Sequence, residues 1–177
     1  MTSTSQWVFG YGSLIYKVDF PYLESQPASI CGWVRRFWQG SHDHRGLPEA
    51  PGRVVTLAPQ ADAVCHGMAY RVEEDVLAHL DFREKDGYQR VVTALQFADG
   101  HQQQGIVYIA TEHNAAYLGD APLSEIAAHI QRSAGPSGSN QDYLLRLAES
   151  LRQLAVYDEH VFELEALLLS ETSQTVS

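Results

Sequence analysis

Two groups of residues in this chain have types and spacing suited to chemistry: Val8-Phe9-Gly10-Tyr11-Gly12-Ser13-Leu14-Ile15 and Glu84. In the first, Trp7 to Phe9 read as a short buried strand that runs straight into a Gly-x-Gly-Ser turn. Glycines on both sides of Tyr11 remove Cβ atoms, which allows φ > 0 and close approach of a ligand to the backbone. Successive N–H groups of such a turn can converge on one concavity, suited to a carboxylate or a developing oxyanion. An ordinary Gly-rich turn accounts for the same residues.

Glu84 belongs to a helix expected from about Glu73 to Lys85. At 100° per residue Val76, Leu77 and Leu80 form one apolar stripe, and Glu84 falls on it, four residues after Leu80. A carboxylate aimed at a core has its charged form disfavoured by desolvation, which raises its pKa. Its place in the last helical turn, at the negative end of the macrodipole, pushes the same way. Both effects move a glutamate towards the range of a base at neutral pH. Pairing with a buried arginine, or fraying of the helix end, explains the residue as well.

Other constellations carry less. His42-Asp43-His44 sits beside Arg45-Gly46 without an HExxH or a Cys pair, and the other six histidines are scattered. Gly10-x-Gly12 has Ile15 where a dinucleotide fingerprint needs its third glycine, and no Walker lysine follows. Ser13 is not in a G-x-S-x-G setting. Neither a metal nor a cofactor is implied.

The elements that must position these groups can be read from periodicity and turn residues. Strands are expected at about 7–11, 29–39, 53–58, 64–72, 89–97 and 105–111, and further helices at Leu123–Ser133, about Asn140–Leu154 and Glu159–Leu169. Asn140 is the expected N-cap after the turn Gly135-Pro136-Ser137-Gly138. Six or so strands, one inserted helix and a helical tail predict an α+β fold, a small closed or strongly coiled barrel with helices packed outside it. At 177 residues the expectation is a disordered N-terminus over 1–6, a single catalytic domain over 7–169 and a flexible tail over 170–177.

Composition narrows the partners. A net charge of −10 argues against a nucleic-acid surface. No apolar run is long enough to span a membrane, and Met1 to Gln6 lacks the charged and apolar regions of a signal peptide. Cys31 and Cys65 stand alone, consistent with a reducing cytoplasm and no disulfide framework. Residues 1–60 hold five cations against four anions, whereas the remainder holds seven against eighteen. The Gly turn therefore sits in an arginine-rich segment of an acidic molecule, where an anionic small ligand or the protein's own acids could meet the arginines.

Several blocks, in order, resemble the ChaC-type glutathione-specific γ-glutamylcyclotransferases. They are Val8 to Ile15, Arg35-Arg36-Phe37-Trp38-Gln39-Gly40-Ser41, Asp43-His44-Arg45-Gly46, Pro51 to Leu57, Leu80-Asp81-Phe82-Arg83-Glu84-Lys85, Tyr117-Leu118-Gly119, and Gly135-Pro136-Ser137-Gly138 with Asn140 and Tyr143. The resemblance spans about 7–165 and implies a γ-glutamylcyclotransferase-like barrel with flanking helices. It implies cleavage of glutathione to 5-oxoproline and Cys-Gly, with no cofactor. By the same resemblance the catalytic glutamate is Glu84, the substrate-holding strand and turn are Val8, Phe9, Gly10, Tyr11, Gly12 and Ser13, and Tyr143 lines the cavity. Two departures bear on rate and pH optimum: Asp86 stands where relatives often have a second glycine, and His42 replaces a small polar residue. The glycine carboxylate of the substrate suits one of Arg36, Arg45 or Arg53. Rival expectations are a cyclotransferase for other γ-glutamyl amino acids or γ-glutamylamines, and a non-catalytic glutathione sensor. Oligomeric state is left open.

Overall fold

A computed structural model describes residues 5–42, 44–84 and 88–174; the side chains at 83–84 and 171–174 lie outside that description, as do Asp43 and Asp86. In chain order the elements are β1 (Ser5–Gly10), a short 3-10 turn (Ser13–Ile15), β2 (Glu24–Ser41), β3 (Gly52–Glu73), α1 (Glu74–Glu84), β4 (Tyr88–Phe97), β5 (Gln102–Ala110), α2 (Leu123–Arg132), β6 (Ala134–Gly135), β7 (Gly138–Ser139), α3 (Asn140–Gln153) and α4 (Glu159–Gln174). Among the described residues no helix is long and apolar enough to cross a membrane.

Five strands close a barrel in the order β1-β3-β2-β4-β5. β1 runs antiparallel to β3, with Val8 opposite Tyr70 and Gly10 opposite Met68. It runs parallel to β5 where Trp7 and Val8 meet Gly105 and Ile106. The α+β class with a small closed barrel is therefore what these residues form. The strands expected at 53–58 and 64–72 are one continuous strand, β3. The stretch Pro59 to Ala63 reads as a break, yet Asp62 absorbs the bend at φ 66° without the chain leaving the sheet. β1 starts at Ser5 because Ser5 and Gln6 already pair with Glu73 and Val72. α4 continues to Gln174, past the expected end at Leu169.

Contacts group the chain into two compact units. The first holds residues up to Arg35 and Leu57–Ala115. Its core brings Val8, Tyr70, Val72 and Ile106 of the strands against Leu77 and Leu80 of α1, with Val76 packed at the margin. The apolar stripe expected on the inserted helix is thus the face that docks. Burying a leucine in this way is worth roughly 1.5–3 kcal/mol.

The second unit holds Arg36–Thr56 and the chain from Ala116 onwards. α2, α3 and α4 bury Ile126, Ile130, Leu144, Leu147, Leu151, Val161 and Leu164, the apolar positions of their 3.6-residue period. The expected N-cap is shifted by one residue. Ser139 caps α3, its Oγ accepting the Asp142 N–H at 3.0 Å. Asn140 is fully buried instead, and its amide both accepts the Arg53 N–H and donates to the Arg53 carbonyl, each at 2.7 Å. A carboxamide can satisfy both groups of one residue, a task no capping hydroxyl performs.

Two outcomes follow for stability. Asn140→Ala strands a buried N–H and a buried C=O, which costs about 3 kcal/mol and lowers Tm by roughly 6–12 °C, read by thermal unfolding. The His129 ring is hydrogen-bonded to the Pro51 carbonyl at 2.7 Å. Burial holds it below its ordinary value of 6.5, against the opposing Pro51 bond and with Arg53 and Arg132 adding to the depression. The unfolded chain therefore binds this proton more readily, so stability is held above pH 6.5 and is lost as pH falls from there towards the folded value. His129→Gln makes the fall in denaturant midpoint as pH drops below 6.5 shallower; an identical slope in the two proteins would contradict the assignment.

Candidate active site

The residues after β1 form a tight reversal in the first unit. Gly12 precedes the 3-10 turn with φ −129° and ψ −124°, and its carbonyl accepts the Ile15 N–H at 2.9 Å. The Ser13 carbonyl accepts the N–H groups of Tyr16 and Lys17. Among the described residues the N–H groups of Gly12, Ser13 and Leu14 find no backbone acceptor. The freedom to adopt φ > 0 is not used, because neither Gly10 nor Gly12 has positive φ. The requirement at Gly10 is steric: a Cβ there would lie 2.6 Å from Leu14 Cβ, so only glycine lets the turn fold back on its strand. A Cβ on Gly67 would similarly meet the Gly10 carbonyl at 2.3 Å, so β3 passes close beneath the same point.

Tyr11 is held at both ends. Its hydroxyl donates to the Tyr108 carbonyl on β5 at 2.6 Å. Its own carbonyl accepts Arg35 Nε–H, also at 2.6 Å. Arg35 is only 2% exposed and reaches a second carbonyl, that of His66 on β3. Charge-assisted bonds of this kind are roughly twice as strong as neutral ones. Val8 and Phe9 are buried, Gly12 is buried, and Ser13 is exposed at the rim.

α1 lies against β1 through Leu77 and Leu80. Its orientation is set further along by Asp81, whose Oδ1 accepts the Tyr108 hydroxyl at 2.6 Å and whose Oδ2 accepts Arg90 at 2.7 Å. Tyr108 thus links the Tyr11 hydroxyl to the helix, through its carbonyl on one side and its phenol on the other. Glu84 is the last residue of α1, three positions after Asp81, and its side chain lies outside the described residues. Turn and helix, the two parts singled out in the sequence, are therefore tied to one another within one unit.

Tyr143 belongs to the second unit. Its hydroxyl oxygen accepts the Val55 N–H at 3.2 Å, its ring meets Phe37 edge-on, and the Arg45 guanidinium lies over it at 5.8 Å. Two of the arginines considered for a substrate carboxylate are bonded within this unit. Arg45 donates to the Ser139 carbonyl and pairs with Asp142 at 3.3 Å. Arg53 donates to the carbonyls of Phe37 and Gly119, and burial pushes its guanidinium below its ordinary value.

Arg35 and Tyr108 did not stand out in the sequence. Alternation could have found Arg35, which shares the buried face of β2 with Phe37 and Gln39. Tyr108 shows no such signal, since its role depends on which strand becomes the neighbour of β1. A cleft of about 570 Å³ elsewhere in the first unit, bordered by Ser5, Trp7, Glu24, Arg71 and His101, includes neither the turn nor α1.

Residues 6–171 match the model of a family described as ChaC-like protein. The chain is 46% identical to γ-glutamylcyclotransferase 2-3 of Arabidopsis thaliana, over 90% of this chain and 86% of the relative. It is 45% identical to glutathione-specific γ-glutamylcyclotransferase 1 of Danio rerio, over 94% and 90%. Among solved structures it is similar to a yeast γ-glutamylcyclotransferase specific to glutathione, with a TM-score of 0.87, 30% identity and coverage of 96% and 97%.

Tyr11→Phe removes the hydroxyl that donates to the Tyr108 carbonyl. The expected loss is about 1–2 kcal/mol, measured by denaturant unfolding; an unchanged midpoint would show that the hydroxyl does not hold the turn.

Proposed function

The chain belongs to the ChaC-like family, and from that premise we propose that it cleaves glutathione by intramolecular cyclisation, giving 5-oxoproline and Cys-Gly. Relatives named as glutathione-specific enzymes, similar over nearly the whole chain, support the substrate. The observation that carries the chemistry is the turn after β1, whose N–H groups at Gly12, Ser13 and Leu14 find no backbone acceptor among the described residues, joined through Tyr108 to the helix that ends in Glu84.

The reaction consumes no water. The α-ammonium of the γ-glutamyl unit is not nucleophilic until it loses a proton, and the Glu84 carboxylate takes it. The amine nitrogen then attacks the γ-carbonyl carbon; a C–N bond forms, and the carbonyl π electrons move to oxygen. N–H groups of the Tyr11-Gly12-Ser13 turn stabilise that oxyanion. Collapse of the tetrahedral intermediate breaks the bond to the cysteine nitrogen, which leaves as an amine after Glu84 returns the first proton to it, and the freed carboxylate takes the second proton from the α-nitrogen, which becomes the ring N–H of 5-oxoproline. Holding the γ-glutamyl chain folded, so that amine and carbonyl meet, supplies the proximity contribution. Val8, Phe9 and Gly10 form the wall beneath the γ-glutamyl unit in this reading, and the α-carboxylate shares the same N–H groups. The assignment of Tyr143 to substrate binding rests on the resemblance alone. The enzyme works in the cytoplasm without a cofactor in this account.

Glu84→Gln is expected to retain the fold and lower turnover of glutathione by ~10²–10⁴, read as 5-oxoproline by chromatography. Near-parent release by this variant would remove Glu84 from the mechanism. Parallel incubation with γ-glutamyl-alanine separates glutathione specificity, where little product forms, from a general γ-glutamyl activity.

A further inference from the structure

We propose that Arg35 is a positioning residue that presents the Gly12 N–H to the reacting carbonyl oxygen, by gripping the carbonyl on the other side of the same peptide plane. The inference rests on the cyclotransferase reading above and assigns a task to a side chain that the mechanism does not otherwise use.

A trans peptide is planar, and its C=O and N–H point in opposite directions. Fixing one end therefore fixes the other. The Tyr11 carbonyl is held by Arg35 Nε–H at 2.6 Å, so the Gly12 N–H faces directly away from the guanidinium. Among the described residues that N–H has no backbone acceptor. The Tyr11–Gly12 peptide is the one whose rotation would remove that donor, because Gly12 has no side chain to resist it.

Three features make Arg35 suited to this task. It is 2% exposed, so its bond to Tyr11 does not compete with bulk water. Its second bond, to the His66 carbonyl, ties it to β3 beside Gly67, where the strand passes closest to the Gly10 carbonyl. The guanidinium cannot swing without losing one of the two. Its positive charge also polarises the gripped peptide, which makes the Gly12 N–H a stronger donor when negative charge develops on the substrate oxygen. Lysine has one ammonium in place of a planar fork and cannot hold two carbonyls in this geometry.

The test uses the full chain with glutathione. Arg35→Lys retains the charge and loses the two-carbonyl grip. The expected result is a folded protein by circular dichroism, with kcat lowered by ~10² and KM within about threefold of the parent, the pattern of a lost transition-state donor. A kcat within about twofold of the parent in a folded variant would overturn the proposal; a purely structural arginine would lower Tm and leave that ratio near one. A second measurement decides the matter if Arg35→Lys does not fold. Ligation at Cys31 allows a full-length chain with glycolic acid in place of Gly12, which keeps the carbonyl that Arg35 grips and replaces the N–H by an ester oxygen. A fall in kcat of ~10² supports the assignment, and turnover within about twofold of the parent overturns it. If the parent protein itself forms no 5-oxoproline from glutathione, it is the cyclotransferase reading that fails.

Discussion

The two hydrogen bonds that leave from opposite ends of Tyr11 constrain everything else at the candidate site. One anchors the phenol to β5 and the other anchors the main-chain carbonyl to Arg35. Between them the turn has little freedom to rotate, even though it contains two glycines. Glycine is used here to let chain segments touch, with Leu14 folding onto Gly10 and β3 passing under the Gly10 carbonyl. Preorganisation of this kind matters because donors already aimed at a developing charge need no reorganisation when the charge appears.

The same residue network extends to α1. Leu77 and Leu80 dock the helix by burial, which is strong but non-directional. Asp81 adds direction through Tyr108 and Arg90, one helical turn before Glu84. A general base is effective only where its reach to the proton is fixed within hydrogen-bond distance. Apolar contacts thus bring the helix in, and polar contacts set its rotation. The proposed mechanism draws on a strand end and a helix end, elements stiffened by a closed barrel without free edges.

Much of this was legible in the residues because local patterning and tertiary packing agree. The stripe Val76, Leu77, Leu80 predicts the docking face of α1, and the apolar run into Gly10 predicts a buried strand and turn. The failures have physical causes. Pro59 to Ala63 has the composition of a loop, but a strand can carry one left-handed residue, Asp62, and continue. Asn140 has the type of an N-cap, yet a buried backbone pair at Arg53 claimed its amide and Ser139 took the cap. Arg35 was hidden for a related reason: a cation on the buried face of a strand makes sense only once the carbonyls it serves, at Tyr11 and His66, are known to be neighbours. Strand order is a long-range property, and periodicity alone does not encode it.

The most direct measurement of the central claim is the fate of the γ-glutamyl carbonyl oxygen when the purified protein acts on glutathione in ¹⁸O-labelled water. Cyclisation predicts equimolar 5-oxoproline and Cys-Gly, with no ¹⁸O in the 5-oxoproline. Free glutamate carrying ¹⁸O would show hydrolysis instead, and binding of glutathione without either product would show that the turn and Glu84 serve recognition and not catalysis.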